Sequence, residues 1–157
     1  MIKREKTDTI VIHCSATPST MDIGVEKIRE WHVGENKWDD VGYHYIVRRT
    51  NGELETGRDE AMQGAHAVKV NHRSVAICLI GGSDANGKWE NNFTDAQFIT
   101  LKSLILDLLK RYEIKKDFKQ IKKIIGHYQV DNKKECPSFK VPEWLEQNGL
   151  QEYIYIG

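Results

Sequence analysis

The sequence predicts an α/β fold: a central mixed β-sheet flanked by helices on both faces, in a single domain spanning 1–157. Three observations carry that prediction. Thr9–His13 (TIVIH) and Ser74–Ile80 (SVAICLI) are uninterrupted apolar, β-branched-rich runs, as expected of strands buried on both faces. The stretch from Thr94 to Tyr112 repeats apolar residues at helical spacing. Asn51-Gly52 lies between two strand-like segments and is the dipeptide best suited to the positive φ angles of a tight hairpin, which adds antiparallel pairing to an otherwise crossover-linked sheet.

In chain order, Thr9 to His13 is too short for a helix and belongs mid-sheet. After the Thr17-Pro18-Ser19 turn, Val25, Ile28 and Trp31 fall on one face of a short helix that Gly34 should end. Tyr43–Arg49 and Glu53–Thr56 form the hairpin. Ser74 to Ile80 is a second central strand, stopped by Gly81-Gly82. Thr94 followed by Gln97 is a capping box, and Phe98, Leu101, Leu104, Ile105, Leu108, Leu109 and Tyr112 then share one helix face. Ile121 to Gly126 is a short strand. Pro142 and Gly149 bracket a small C-terminal helix.

Composition narrows the function classes. Lys and Arg total 23 and so do Asp and Glu, so the chain lacks the basic excess that nucleic-acid binding draws on. At 39% hydrophobic it is too apolar for disorder. The longest uncharged apolar run, Ser74 to Gly82, is too short to span a membrane. The charged first eight residues are unlike a signal peptide, which implies a chain cytoplasmic at synthesis. With no signal peptide, three cysteines read as thiols or metal ligands rather than a disulfide framework. Seven basic residues against two acidic between Lys110 and Lys123 describe a solvated face or a weak contact for an anionic polymer.

Six histidines and three cysteines are the candidate ligands. His13 ends a buried strand, where side chains emerge at the sheet edge, and the adjacent Cys14 should point to the opposite face. His127 ends another short strand, and nine residues on comes Cys136, preceded by Lys133 and Lys134, whose charges would favour a thiolate. Two histidines and a cysteine leave one tetrahedral position open, the pattern of a catalytic zinc. The plain alternative is a satisfied strand-end histidine, a loop histidine and a buried thiol. Cys78 alternates into its strand as core. His32 and His72, among polar neighbours, read as solvated, whereas His44 and His66 could line a cleft or simply pack.

As a set the residues are familiar. IVIHCSAT (10–17), IREWH (28–32), DVGYHYIVRR (40–49), LETGRDE (54–60), GAHA with Asn71, SVAICLIGG, FTDAQ and GHYQVDNKKECPSF resemble, in order and over nearly the whole chain, the zinc N-acetylmuramoyl-L-alanine amidases of the amidase and peptidoglycan-recognition-protein superfamily. The resemblance implies a zinc peptidoglycan hydrolase that cuts between N-acetylmuramic acid and L-alanine. It implies one Zn²⁺ held by His13, His127 and Cys136, with Tyr43 and Lys134 catalytic and His44, His66 and Asn71 lining the substrate cleft. The interval from His127 to Cys136 is one residue longer than in a similar phage member of that superfamily, so Lys133 competes with Lys134 for the catalytic place. The implied partners are peptidoglycan and muropeptides, met after release or non-classical export by a phage, prophage or bacterial chain that is expected to be a monomer. Some superfamily members bind peptidoglycan without cleaving it, and regulation by protein contact, such as RNA polymerase inhibition, is a further alternative for which the charged Lys3–Lys6 start would serve.

Overall fold

The computed structural model describes residues 1–113 and 121–155. Among the described residues, five strands form one sheet in the order β3-β2-β4-β1-β5, where β1 is Thr9–Cys14, β2 Tyr45–Val47, β3 Leu54–Thr56, β4 Ser74–Leu79 and β5 Lys123–Gly126. β1 pairs in parallel with both β4 and β5, β2 in parallel with β4, and β2 antiparallel with β3. The sheet is mixed as expected, and the two all-apolar runs are its central strands, every residue of each buried.

Period-two alternation then decides what each face meets. Ile10, Ile12, Val75, Ile77 and Leu79 pack under α2 (Asp95–Glu113) and α3 (Val141–Gln147). On the opposite face, α1 (Val25–Arg29) covers only the half formed by Ile46, Cys78 and Ile80, with Ile28 as its buried contact. Val11 and Ile125 on the other half meet Ala67 and Val70 from an irregular connection instead of a helix. Two residues beyond Val11 and Ile125 on that same face stand His13 and His127.

The local signals have their expected physical form. Asn51 (φ 56°) and Gly52 (φ 61°) both adopt positive φ and turn β2 into β3. Thr94 and Gln97 cap each other reciprocally: the Thr94 N–H donates to Gln97 Oε1 at 3.0 Å and the Gln97 N–H to Thr94 Oγ1 at 3.1 Å. Fully buried Gln97 also donates its amide to the carbonyls of Val47 and Ile80, pinning α2 to the sheet. α3 ends with Leu150 N–H on Leu145 O (2.8 Å) and Gly149 N–H on Glu146 O (3.3 Å), with Gly149 at φ 73°.

Two expectations change. Gly34 does not end the first helix: a wider π turn over Glu30–Glu35 follows α1, with the Asn36 N–H donating to Trp31 O at 3.1 Å. The charged Lys3–Lys6 start, which would serve a protein contact, is partly engaged within the fold: buried Arg4 donates to Thr7 Oγ1 (2.8 Å), Met62 O (3.1 Å) and Tyr112 Oη (3.0 Å). Residues 114–120, which hold much of the basic stretch between Lys110 and Lys123, lie outside the described residues. No helix among the described residues is long and apolar enough to cross a membrane.

Candidate functional site

Parallel pairing of β1 with β5 places their carboxyl ends side by side. Ile12 is in register with Gly126, so the next residues, His13 and His127, meet with ring centroids 4.6 Å apart. Ligands of open parallel sheets gather beyond such strand ends. Cys136 reaches the same point from the loop after β5. Its carbonyl accepts the Tyr128 N–H at 3.0 Å, and its Sγ accepts the backbone N–H of Cys14 at 3.0 Å. The Cys14 thiol turns instead toward Ser138 Oγ, 3.8 Å away.

One donor atom from each of His13, His127 and Cys136 lies within 4.8 Å of the others. His13 Nδ1 stands 4.0 Å from Cys136 Sγ. A tetrahedral zinc would hold a nitrogen and a sulfur donor about 3.6 Å apart, so the His13–Cys136 pair needs to close by only a few tenths of an ångström to share such an ion, with the His127 donor within 4.8 Å of both. Burial, and then the neighbouring histidines, holds His13 well below the usual imidazole range. Burial lowers His127 as well, opposed by Asp131 and reinforced by the charge of Lys134. Both rings are therefore neutral near pH 7, the form that ligates.

Cys136 departs from expectation. Burial, then the Cys14 thiol, pushes its thiol well above the ordinary value, and only the Cys14 backbone N–H pulls the other way. With the residue only 5% exposed, coordination rather than lysine charge is what would ionise the thiol.

Tyr43 stacks at a tilt on His13, ring centroids 5.0 Å apart. Burial holds its phenol well above 10, so it stays an O–H donor. Its loop is braced from three sides. Gly42 is packed so closely that a Cβ there would lie 2.1 Å from Ala65 O. Buried Arg58 donates to the carbonyls of Asp40 (3.0 Å), Val41 (2.9 Å) and Gln63 (2.9 Å). His32 is the third brace and is not solvated as its polar neighbours suggested: its Nδ1 accepts the Gly42 N–H at 2.9 Å and its ring packs on Trp38 and Tyr43.

The remaining candidates separate by position. His66 contacts His13, with His13 Nε2 and His66 Nδ1 2.8 Å apart, and its Nε2 is 3.1 Å from Ser74 Oγ. His66 and His127 face each other across a cleft of about 540 Å³ whose rims include Val68, Lys69, Val130 and Asp131. Asn71 holds one rim in shape, its Oδ1 accepting the N–H groups of His66 (2.9 Å) and Ala67 (2.8 Å). His44 is 1% exposed, with Nδ1 accepting the Ala76 N–H (3.0 Å) and Nε2 meeting Met62 O (2.7 Å), so it presents no ring nitrogen to the cleft. Lys134 is exposed, lines a neighbouring hollow with Tyr128 and Phe139, and is the lysine whose charge His127 feels.

Residues 3–139 match the N-acetylmuramoyl-L-alanine amidase family. The chain belongs to this family. It is 45% identical to the endolysin of Escherichia phage T7 over 148 residues, 94% of this chain and 91% of that one. Among solved structures, the N-acetylmuramoyl-L-alanine amidase LysC from Clostridium intestinale aligns over 92% of this chain and 87% of its own at 26% identity, with a TM-score of 0.73. Drosophila PGRP-LB, at 23% identity, shares the fold over 100% of this chain and 93% of its own, TM-score 0.74. The chain is thus an N-acetylmuramoyl-L-alanine amidase.

Three residues of this amidase site escaped the sequence reading. Ser74 read only as the start of a strand, and Arg58 only as part of a motif. Asp131, whose Oδ2 lies 3.8 Å from His127 Nε2, left a faint signal in its four-residue spacing from that histidine.

Proposed function

We propose that this amidase hydrolyses the amide joining the lactyl group of N-acetylmuramic acid to the L-alanine that begins the stem peptide, with one zinc ion held by His13, His127 and Cys136. The observation that carries the reading is the convergence of two neutral imidazoles and a thiol, from segments remote in sequence, beside a cleft of about 540 Å³. Three donors leave one tetrahedral position for substrate or water, which distinguishes catalytic from structural zinc sites. Zinc bound there would supply Lewis acidity at the scissile carbonyl. The chain supplies the rest. Tyr43 offers a protonated phenol beside His13 and can orient water or pass a proton at its hydroxyl. Lys134 brings a positive charge to the His127 side of the site, where it can stabilise an oxyanion. The cleft between the His66 and His127 loops receives the peptide.

Mass spectrometry of purified peptidoglycan digests, with and without a zinc chelator, tests this reading. Free stem peptides beginning with L-alanine in the untreated digest alone are the expected result. Glycopeptides left intact in both digests would overturn it in favour of binding without cleavage, and equal cleavage in both would remove the metal.

A further inference from the structure

His66 and Ser74 make a contact chain with His13 whose hydrogens can be placed by counting. The Ser74 hydroxyl lies 2.7 Å from Val70 O, and a carbonyl only accepts, so the one hydroxyl proton is committed there. Ser74 Oγ must then accept from His66 Nε2 at 3.1 Å. A neutral imidazole carries one ring proton, so His66 Nδ1 is left as a lone pair, 2.8 Å from His13 Nε2. His13 must place its own proton on Nε2. The lone pair that remains is on Nδ1, the atom facing Cys136 Sγ.

We infer that His66 and Ser74 are positioning residues which lock His13 in its Nε2–H tautomer and so aim the Nδ1 lone pair at the metal position. The inference rests on the proposed zinc site and adds to it the device that orients its most buried ligand.

The chain is anchored at both ends. Ser74 opens β4 and is fully buried, Val70 belongs to the turn before it, and Asn71 grips the backbone of His66 and Ala67. Outer hydrogen bonds of this kind set both the tautomer and the basicity of a ligating histidine, and their loss commonly costs about 10- to 100-fold in metal affinity. Without the serine acceptor, His66 is free to carry its proton on Nδ1 and donate to His13, which moves the His13 lone pair to the wrong nitrogen.

The test reads the tautomer directly in metal-free, ¹⁵N-histidine-labelled protein by long-range ¹H–¹⁵N correlation, and reads Zn²⁺ affinity by competition with a chromophoric chelator. Wild type should show His13 as the Nε2–H form alone. Ser74→Ala should show a mixture of tautomers and bind Zn²⁺ about 10- to 100-fold more weakly, Ser74→Thr should restore both readouts, and His66→Leu should weaken Zn²⁺ binding to the same degree. An Nδ1–H form of His13 in wild type, or a Ser74→Ala protein with unchanged tautomer and affinity, would overturn the inference. A wild-type protein that shows the locked tautomer yet binds no Zn²⁺ would fault the metal reading and leave the lock standing.

Discussion

Cys136 shows how one residue balances opposed demands. Burial favours its neutral thiol, while the Cys14 N–H and an incoming cation favour the thiolate. Replacing it with serine exchanges a soft ligand for a weak one in the same volume, so Cys136→Ser should fold, lose bound zinc and lose wall digestion. Wild-type digestion by the folded variant would end the assigned role. The two adjacent lysines are separable in the same way. Lys134→Ala should lower the initial rate on peptidoglycan by about 10²–10³, the usual cost of one oxyanion donor. Lys133→Ala should stay near wild type, since Lys134 is the lysine whose charge acts on His127. Equal rates for the two variants would remove Lys134 from the mechanism.

At the scale of elements, the sheet is tied to its surroundings by a few polar residues whose loss is measurable. Thr94→Ala removes half of the capping box of α2 and should cost about 1 kcal/mol. Gln97→Ala removes the other half together with two bonds to sheet carbonyls and should cost about 2 kcal/mol, which urea unfolding of the two variants would compare. At the opposite end of the sheet, Asp8 precedes β1 and accepts from Arg73, just before β4, at 2.8 Å. Burial alone would raise the Asp8 carboxyl, but bonds from Arg73, Thr9 and Lys6 outweigh it and lower it from 3.8 to about 2. A lowered folded-state value means the stabilisation is complete above pH 3.8 and is lost as pH falls through about 2. That linkage is worth about 2 kcal/mol. Acid unfolding of Asp8→Asn should therefore lack the steep loss of stability that wild type shows over this interval; identical acid limbs would exclude the link.

For the whole molecule, the proposed ion joins β1, β5 and the loop that follows, so it should stabilise the folded state by mass action. At a hundredfold excess over its dissociation constant the gain is about 2.7 kcal/mol, or about 5–10 °C in Tm. Calorimetry with and without chelator should show that drop, and a Tm indifferent to chelation would argue against a site built from these three segments. How much of this was legible beforehand follows from the range of the forces involved. The buried strands, the Asn51-Gly52 turn, the capping box and the apolar face of α2 depend on neighbours a few residues away, and the sequence alone determined them. It also determined the family, through motifs collinear over nearly the whole chain, and it singled out His13, His127 and Cys136 by their places at strand ends and in the loop beyond. Tertiary structure decided the rest. It buried Arg4, turned His32 onto the Gly42 backbone, closed His44 behind two backbone bonds, overrode the lysines at Cys136 by burial, and joined His13 to Ser74 through His66. These outcomes depend on parallel strand register and on desolvation, which bring together groups up to 123 residues apart and leave no periodic trace in the chain.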